Sequence, residues 1–362
     1  MDFAEPPNCD FTAKRCAKFP ADSTRQNNVF YCDKHHFSAI QIIDSIMMCS
    51  VPVSIVIPAR NAESWIGEVL GSVFEQQVDR PLDVIVVDDG STDRTGAVAD
   101  SFPCRVISSQ AGSGSPARAR NLGAHESFGD PIVFLDADCT TQPGWLKALL
   151  HAHAEGHAVV GGAIDMPSDL SFTARADYLS GFYLVHSRRP RGCVPHHPPP
   201  NLSFRREAFF ISGGFSEAWP LYYTNEERAP LGRLREMGKT IFFEPEATVQ
   251  HHNRPGFLAL LRRHYRWGFT SIESKHSTRS ARMAWLYRWP LVTALGVPFL
   301  AVAHTVLIVG LWLRHGRLEI IVQIPLVLVS RITYVVGMLV GVAEWYKRRS
   351  FSTKTVKRWR SP

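Results

Sequence analysis

The segment Ile132-Val-Phe-Leu-Asp-Ala-Asp-Cys139 gives the strongest indication of the fold. Its four consecutive apolar residues predict a buried strand, and two carboxylates, Asp136 and Asp138, follow directly. Because residues i and i+2 of a strand point to the same face, both carboxylates can converge at the carboxyl edge of a sheet, where open α/β folds bind ligands. Adjacent carboxylates repel unless a cation lies between them, so a hard divalent cation is one interpretation. The other is a solvated turn, since Asp is common in turns.

Strands and helices alternate on both sides of this segment. Before it, the apolar patterns predict strands at 51–57, 84–87 and 105–108 and helices at 63–76, 95–101 and 117–125. After it, they predict helices at 145–155, 206–212 and 222–237, strands at 158–164, 201–204, 240–243 and 247–250, and a proline-rich loop at 188–200. This alternation predicts an α/β fold with a Rossmann-like, mostly parallel sheet.

Composition and charge limit the partners. The chain has 362 residues, 45% of them hydrophobic and 20% charged, with a net charge of +7, which suits about two domains or one large domain with an appendage. Basic residues gather in the tail, at Lys347, Arg348, Arg349, Lys354, Lys357, Arg358 and Arg360, with no acid among them. Such a tail suits nucleic acid or an anionic membrane surface, and the apolar segments before it favour the membrane over nucleic acid.

Two apolar segments precede this tail. Residues 291–313 carry no formal charge and residues 320–343 are interrupted only by Arg331, and about 20 apolar residues suffice to cross a bilayer. We predict two transmembrane helices, with the tail and the basic stretch 279–288 both on the cytoplasmic side. The alternative is a buried helical hairpin in a soluble protein. Arg331 would face a lipid phosphate or the helix pair, or mark a segment that does not cross.

Seven short motifs occur in order between about residues 51 and 267. They are Ser54-Ile-Val-Ile-Pro-Ala-Arg-Asn61, Val86-Val-Asp-Asp-Gly-Ser-Thr-Asp93, Ala119-Arg-Asn-Leu-Gly123, Phe134-Leu-Asp-Ala-Asp138, Asn201-Leu-Ser-Phe-Arg-Arg206, Gly213-Gly-Phe215 and Asn225-Glu-Glu227. The ordered set resembles the family 2 glycosyltransferases, which have the glycosyltransferase A fold. The resemblance implies inverting transfer of a sugar from a nucleotide-diphosphate sugar to an acceptor hydroxyl.

On this basis we expect four regions: a flexible leader at 1–50, a catalytic domain at 51–270, a membrane-associated region at 271–346 with transmembrane helices at about 291–313 and 320–343, and a basic tail at 347–362. The leader shows no secretory-signal pattern, and a start of translation at Met47 or Met48 is an alternative to it. Four of the seven cysteines lie there without a tight pair, which favours free thiols in a reducing cytosol. We therefore expect a multi-pass protein of the cell membrane with a cytoplasmic catalytic domain.

The donor would bind at the ends of neighbouring strands. The turn Pro58-Ala59-Arg60-Asn61 ends the first strand, and Asp88 and Asp89 end the second. Acids there can accept hydrogen bonds from a base N–H or a ribose hydroxyl, and the resemblance makes Asp89 the better candidate. The alternative is a turn and an N-terminal cap, with Ser91 and Asp93 as capping residues.

Further donor contacts are expected after the glycine-rich loop at 112–116. The resemblance implies binding-site roles for Arg120 and Asn121, whereas Arg118 could equally bind phosphate or lie on a solvated helix face. It also implies that Asp136 and Asp138 hold Mn²⁺ or Mg²⁺ against the diphosphate. Asp138 would be the direct ligand, with Asp136 nearer the ribose and the metal.

A general base for the acceptor hydroxyl is also implied. The family has an acid pair, usually Glu-Asp, at the start of a helix after the Gly-Gly-Phe turn, and the pair here is Glu226-Glu227. Glu227 stands where the family has aspartate and is the predicted base, beside Glu226. Pro230 is a further departure, and proline removes a helical hydrogen bond, so the helix would start later or kink. The alternative is that both acids only favour a helix N-terminus.

The last candidates follow the final strand. His251 or His252 could ligate the metal, touch phosphate or lie in a surface loop. The segment Arg263-His-Tyr-Arg-Trp267 resembles the Gln-x-x-Arg-Trp motif of processive family members, with arginine in place of glutamine. Arg266 would contact diphosphate and Trp267 would stack on an acceptor sugar, although an amphipathic interfacial helix explains the same residues.

The membrane segments suggest a lipid-linked or cell-envelope glycan acceptor. Two other functions fit the sequence. The altered acid pair allows a catalytically inactive membrane scaffold that binds nucleotide sugar. A nucleotidyltransferase shares the strand-end carboxylates, but the basic glycine-rich loop typical of that chemistry is missing near Pro58.

Overall fold

The computed structural model describes residues 51–109, 114–218, 224–277 and 290–358. The expectations for the leader at 1–50, for the basic stretch 279–288 and for the last four residues therefore lie outside the described part of the chain. The described part has the α/β architecture that the sequence predicts.

One sheet runs through the described residues. Its strands are β1 (Val53–Ala59), β2 (Leu82–Asp88), β3 (Arg105–Ser108), β4 (Ile132–Leu135), β5 (Cys139–Thr141), β6 (Val159–Asp165), β7 (Gly192–Val194), β8 (Asn201–Phe204) and β9 (Ile241–His251). Their order is β3-β2-β1-β4-β8-β6-β9-β5, and β7 pairs with β9. The β3-β2-β1-β4 half is parallel throughout, whereas β8 lies antiparallel between β4 and β6.

Helices cover and extend this sheet. They are α1 (Ile66–Phe74), α2 (Thr95–Ala99), α3 (Pro116–Glu126), α4 (Trp145–Ala154), α5 (Phe172–Gly181), α6 (Arg206–Ile211), α7 (Arg228–Glu236), α8 (Phe257–Ser277), α9 (Pro290–Arg314) and α10 (Ile320–Arg358). The sequence patterns predicted each of these elements except β5, β7 and α5, which are short or lack a regular apolar spacing, and α8, which was only an alternative explanation for residues 263–267.

Apolar residues on both faces of the central strands explain the parallel half. Val53, Ile55, Val56 and Ile57 of β1 and all four residues of β4 are fully buried, as expected for strands with helices on both sides. The register pairs Ala59 with Asp88, so the polar residues that follow β1 and β2 emerge at the same edge.

In the second half of the domain, one strand differs from the sequence pattern and one helix starts where the proline requires. The separate strands predicted at 240–243 and 247–250 are wrong, because β9 is continuous, and its parallel pairing with β6 shifts register between Gly162 and Ile164. The later helix start expected from Pro230 is confirmed. Helix α7 begins at Arg228, which puts the proline in the first turn, where a backbone N–H has no helical acceptor.

Helices α8 and α10 touch through their backbones. A Cβ atom on Gly268 would overlap the carbonyl of Tyr334, and one on Gly337 would overlap the carbonyl of Tyr265. Gly341, one turn beyond Gly337, meets α8 in the same way, so this surface of α10 has the small-xxx-small pattern of closely packed helices.

The apolar helices also present an uncovered face. Phe299, Val302 and Val306 of α9 and Ile332, Val336 and Val340 of α10 are between 43% and 78% exposed, at spacings that share one helix face. Among the described residues, the segment Ile320–Arg348 is long and apolar enough to cross a membrane, whereas the apolar segment Phe299–Arg314 is shorter.

The turn between α9 and α10 contradicts the predicted pair of crossings. The guanidinium of Arg188 donates to the carbonyl of His315 at 2.6 Å, and the indole N–H of Trp312 donates to the carbonyl of Leu179 at 2.8 Å. Two crossings that return the tail to the catalytic side require this turn on the opposite side of the bilayer. A turn in contact with residues 179 and 188 lies on the side of the α/β domain.

Candidate active site

Arg120 binds two carboxylates, that of Asp136 at the end of β4 and that of Glu226. Arg120 and Glu226 are 106 positions apart in the sequence. Nη2 of Arg120 lies 2.5 Å from Oδ1 of Asp136, and its Nη1 lies 2.5 Å from Oε1 of Glu226. Helix α3 can hold the guanidinium there because Gly123 lets the helix lie directly on β1, where a Cβ would collide with Val56. Burial alone would lower the pKa of Arg120, but the two carboxylates raise it, so the side chain stays cationic.

Glu226 and Glu227 are both buried, and each has its own partner. Oε1 of Glu227 lies 3.1 Å from Nε2 of His196. Burial alone would raise the pKa of Glu227, but the hydrogen bond from His196 lowers it below its ordinary value. Burial raises the pKa of Glu226 and outweighs the opposing effect of Arg120. Glu227 occupies the N-cap position of α7 without a side-chain capping bond, so His196 rather than the helix end holds its carboxylate.

Asp138 and His251 form the part of this edge that suits a metal ion. Nε2 of His251 lies 3.6 Å from Oδ1 of Asp138, and Cys139 completes a group whose ligand atoms lie within 4.8 Å of one another. Carboxylate suits Mn²⁺, and neutral imidazole is the commonest metal-ligating side chain. Thiolate is a soft ligand and suits Mn²⁺ less well than carboxylate does, and burial raises the pKa of the Cys139 thiol well above its ordinary value. Asp136 is not part of this group, and its Oδ1 is bound by Arg120.

The turn after β1 is tied to the loop after β2. Asn61 has a φ of 49°, its amide N–H donates to the hydroxyl of Ser91 at 3.0 Å, and its Oδ1 accepts from the N–H of Thr92 at 2.8 Å. Asn61 therefore shapes the edge through its own chain. Arg60 is exposed beside it, and a Cβ on Gly114 would collide with its guanidinium; Pro58 and Ala59 contribute the end of β1.

The two acids at the end of β2 have different hydrogen-bond partners. Oδ1 of Asp88 accepts from the N–H of Ser91 at 2.8 Å and closes the turn. Asp89 is 4% exposed, and its two oxygens accept from the hydroxyl of Ser109 at 2.6 Å and the N–H of Ser115 at 2.8 Å. Asp89 thus fixes both ends of the loop that precedes α3, and its role toward a base or ribose stays a prediction.

Asn121 acts on the Gly-Gly-Phe turn. Its Oδ1 accepts from the N–H of Phe215 at 2.9 Å, and its Nδ2 donates to the carbonyl of Phe215 at 3.0 Å. Gly213 and Gly214 have φ values of 75° and 67°, which other residues rarely adopt. Asn121 therefore shapes the turn that precedes the acid pair.

The candidates on α8 and after β9 have other neighbours. The ring of Trp267 lies against Gly181 of α5 and 4.9 Å from the ring of His264, so it packs between helices. Arg266 is exposed. His252 stacks on Trp65 with ring centroids 4.2 Å apart. The structure therefore brings His251 to the candidate metal group and His252 to a different surface.

Sequence reasoning assigned no role to His196. It lies in the proline-rich loop at 188–200, which we predicted to be outside the core. The antiparallel pairing of β7 with β9 draws this loop onto the sheet. A histidine within a loop has no periodic pattern to indicate its partner, so no sequence signal could have found this contact.

The mostly parallel sheet with helices on both sides has the architecture of the glycosyltransferase A fold. A solved structure of the mannosyltransferase PcManGT from Pyrobaculum calidifontis, in complex with GDP-Man and Mn²⁺, is similar over 80% of this chain and 86% of that chain, with a TM-score of 0.55 and 18% identity. Residues 54–210 match glycosyl transferase family 2. The chain thus carries a family 2 glycosyltransferase domain, and the resemblance indicated by the motifs is confirmed.

Two curated proteins are also similar to this chain. A pre-mycofactocin glycosyltransferase of Mycobacterium tuberculosis is 31% identical over 218 residues, which cover 56% of this chain and 43% of that protein. A 4,4'-diaponeurosporenoate glycosyltransferase of Staphylococcus aureus is 40% identical over 92 residues, or 24% of each chain. The chain therefore spans less than half the length of these relatives.

Proposed function

We propose that the protein is an inverting glycosyltransferase that moves a sugar from a nucleoside-diphosphate sugar to an acceptor hydroxyl. The observation that supports this most is the buried connection Asp136–Arg120–Glu226 at the carboxyl edge of β4, with Glu227 next in the chain. The names of the relatives support the same activity.

Glu227 is the proposed general base. Its carboxylate takes the proton from the acceptor hydroxyl, the oxygen attacks the anomeric carbon, and the nucleoside diphosphate leaves with the electron pair of the broken bond. The N–H of His196 keeps the carboxylate oriented and ionised. Glu226 is bound to Arg120 and is better suited to hold that arginine beside Asp136 than to accept a proton.

Asp138 and His251 would hold Mn²⁺ or Mg²⁺, while Asp136 stays paired with Arg120. When bound, the ion would stabilise negative charge on the leaving diphosphate. Asp88, Asp89 and the turn at 58–61 lie at the same sheet edge and are the proposed side of the nucleoside.

A lipid-linked or cell-envelope glycan is the proposed acceptor, and the cytoplasmic face of the cell membrane is the proposed location. The uncovered apolar face of α9 and α10 supports both, because exposed apolar patches of this kind mark contact with a membrane or a partner. The basic residues after position 346 would add attraction to anionic lipids.

The experiment is metal-dependent turnover of a panel of nucleotide sugars by the full-length protein in detergent. We expect slow release of nucleoside diphosphate from one donor, and we expect Asp138→Ala and Glu227→Gln to abolish it. The control is Glu207→Gln, which should retain the activity because Glu207 is exposed on α6. Binding of a donor without any turnover, with and without added acceptor, would indicate the inactive scaffold instead. Release of pyrophosphate from a nucleoside triphosphate would indicate a nucleotidyltransferase.

A further inference from the structure

Buried polar side chains lead from the candidate metal group to the apolar helix α10. Nδ1 of His251 lies 2.9 Å from Oδ1 of Asn253, and Nδ2 of Asn253 lies 2.8 Å from Oδ2 of Asp177. On the other side of Asp177, Oδ1 lies 3.1 Å from Nε2 of His264, whose Nδ1 lies 2.5 Å from Nη2 of Arg331. All five side chains belong to residues at most 4% exposed. They come from α5, α8, α10 and the end of β9.

The donors and acceptors on the α10 side can be assigned from chemistry. A guanidinium only donates, so Nδ1 of His264 accepts from Arg331 and the ring proton is on Nε2, from which it is donated to Asp177. Burial lowers the pKa of His264 to about 4, so the ring is neutral at pH 7. Burial alone would raise the pKa of Asp177, but Arg263, His264 and Asn253 lower it to about 2. Asp177 therefore accepts on both sides.

This assignment fixes the other side as well. Because Asp177 only accepts, Asn253 turns its NH₂ group toward Asp177 and its Oδ1 toward His251. His251 must then donate from Nδ1, which leaves Nε2, 3.6 Å from Oδ1 of Asp138, as the nitrogen that faces the candidate metal group. An imidazole that donates from one nitrogen and keeps the other free is the form that ligates metals.

We infer that Asp177 is a positioning residue that fixes the metal-binding tautomer of His251 through the amide of Asn253. Arg263 and Arg331 hold this arrangement from two sides: Nη1 of Arg263 lies 3.1 Å from Oδ2 of Asp177, and Arg331 fixes the proton of His264. The inference rests on the proposed function because it assigns the metal to Asp138 and His251.

Asp177→Asn tests the inference, because an amide accepts on one side only. Arg331 keeps the N–H of His264 directed at position 177, and Arg263 donates from the other side, so the new NH₂ group meets a donor in either orientation. We expect the affinity for Mn²⁺ to fall about 10–100-fold, the range for changes behind a metal-ligating histidine. The nitrogen coupling of a coordinated imidazole, measured by pulsed EPR, should weaken with it.

The double variant Asp177→Asn/Arg331→Met should recover affinity. Without Arg331, His264 can carry its proton on Nδ1 and accept at Nε2 from the new amide. The amide oxygen then faces Asn253 and Arg263, so the tautomer of His251 is restored.

The matched double variant Asp177→Asn/Arg263→Gln should not recover it. His264 still donates, so the new amide turns its oxygen to His264 and its NH₂ group to Asn253. Asn253 turns in response, and the proton of His251 moves to Nε2, where it blocks the metal. Each double variant removes one arginine that holds this arrangement, and Arg331 is the more buried of the two, so a general loss of packing would weaken Asp177→Asn/Arg331→Met more, which is the opposite of the expected order.

The measurement is titration of the full-length protein in detergent with Mn²⁺ alone, followed by calorimetry and pulsed EPR, with thermal unfolding as the check on folding. Equal affinities in the two double variants, or wild-type affinity in Asp177→Asn, would overturn the inference. If the variants do not fold, nitrogen NMR of the wild-type imidazoles decides: a proton on Nδ1 of His251 supports it, and a proton on Nε2 overturns it.

Failure of the proposed function gives a different result. A wild-type protein that binds Mn²⁺ through a nitrogen ligand but transfers no sugar would overturn the function and leave the inference standing. A wild-type protein that binds Mn²⁺ without nitrogen coupling would overturn the inference, whatever its turnover.

Discussion

Nε2 of His196 lies 3.1 Å from Oε1 of Glu227, and this contact joins a proline-rich loop to the start of α7. Partial burial lowers the pKa of His196, so the neutral ring donates its N–H to the carboxylate at neutral pH. The proposed base, Glu227, therefore depends on a residue outside the seven sequence motifs.

Replacement of His196 should move the acid limb of the activity profile. Glu227 must be ionised to act, and the hydrogen bond from His196 lowers its pKa. In His196→Leu the donor is lost, the pKa of Glu227 rises, and the acid limb of kcat/KM moves to higher pH. His196→Gln keeps an N–H donor and should stay close to wild type. An unchanged acid limb in His196→Leu would mean that another group sets it.

Loss of Arg120 should destabilise the protein as well as inactivate it. Arg120→Met leaves the buried carboxylate of Glu226 without its cation, and breaking such a pair costs about 3–5 kcal/mol of the free energy of unfolding. Arg120→Met/Glu226→Leu removes both charges and should recover part of that loss, although activity stays absent. Chemical denaturation of the three proteins measures this, and a double variant less stable than Arg120→Met would contradict it.

Substitutions of Asp138, Cys139 and His251, the candidate metal group, should affect Mn²⁺ binding differently. Asp138→Asn and His251→Gln each remove a ligand and should weaken Mn²⁺ binding at least tenfold. Cys139→Ser should bind Mn²⁺ like wild type, because a soft sulfur ligand contributes little to the binding of a hard cation. Calorimetry with Mn²⁺ alone is the measurement, and a tenfold loss in Cys139→Ser would make the sulfur a ligand.

The contact between α8 and α10 should not tolerate a methyl group. In Gly337→Ala the new Cβ would overlap the carbonyl of Tyr265, and overpacking of this kind costs about 1–3 kcal/mol. Gly310→Ala in α9 is the control, since no atom outside its own helix lies within 4 Å of the added Cβ. There alanine should stabilise the helix by up to about 1 kcal/mol. Thermal unfolding of both variants in the same detergent compares them.

The turn between α9 and α10 should be accessible from the side of the catalytic domain. A cysteine at Leu318, which is 68% exposed, should react with a membrane-impermeant maleimide in inverted vesicles and not in intact cells. The reference is Glu207→Cys, which replaces an exposed residue of the α/β domain. Labelling of position 318 in intact cells, and not in inverted vesicles, would support the two crossings predicted from the sequence.

The sequence predicts the fold well because its signals are local. Runs such as Val53–Ile57 and Ile132–Leu135 are buried on both faces and can hardly be anything but central strands. The motifs also identify Arg120, Asp136 and Glu226, which the structure brings into one chain of contacts.

The misses have physical causes of their own. The pairing of Glu227 with His196 depends on how β7 pairs with β9, and no local pattern records such a distant pairing. The hydropathy pattern predicted the approximate extent of α9 and α10. It carries no information about tertiary contacts such as those of Trp312 with Leu179 and of Arg331 with His264. The Gly337 and Gly341 spacing was visible in the sequence, and it was the available signal that α10 packs on another helix.

Arg331 has a consequence for how the protein can be divided. Its guanidinium belongs to an apolar C-terminal helix but bonds to a histidine that supports Asp177. A chimera that joins residues 51–277 to the C-terminal helices of another protein would keep every sheet motif and lose that bond. The C-terminal helices are therefore not a separable module of this chain, and changes in α10 and α8 would have to be inherited together.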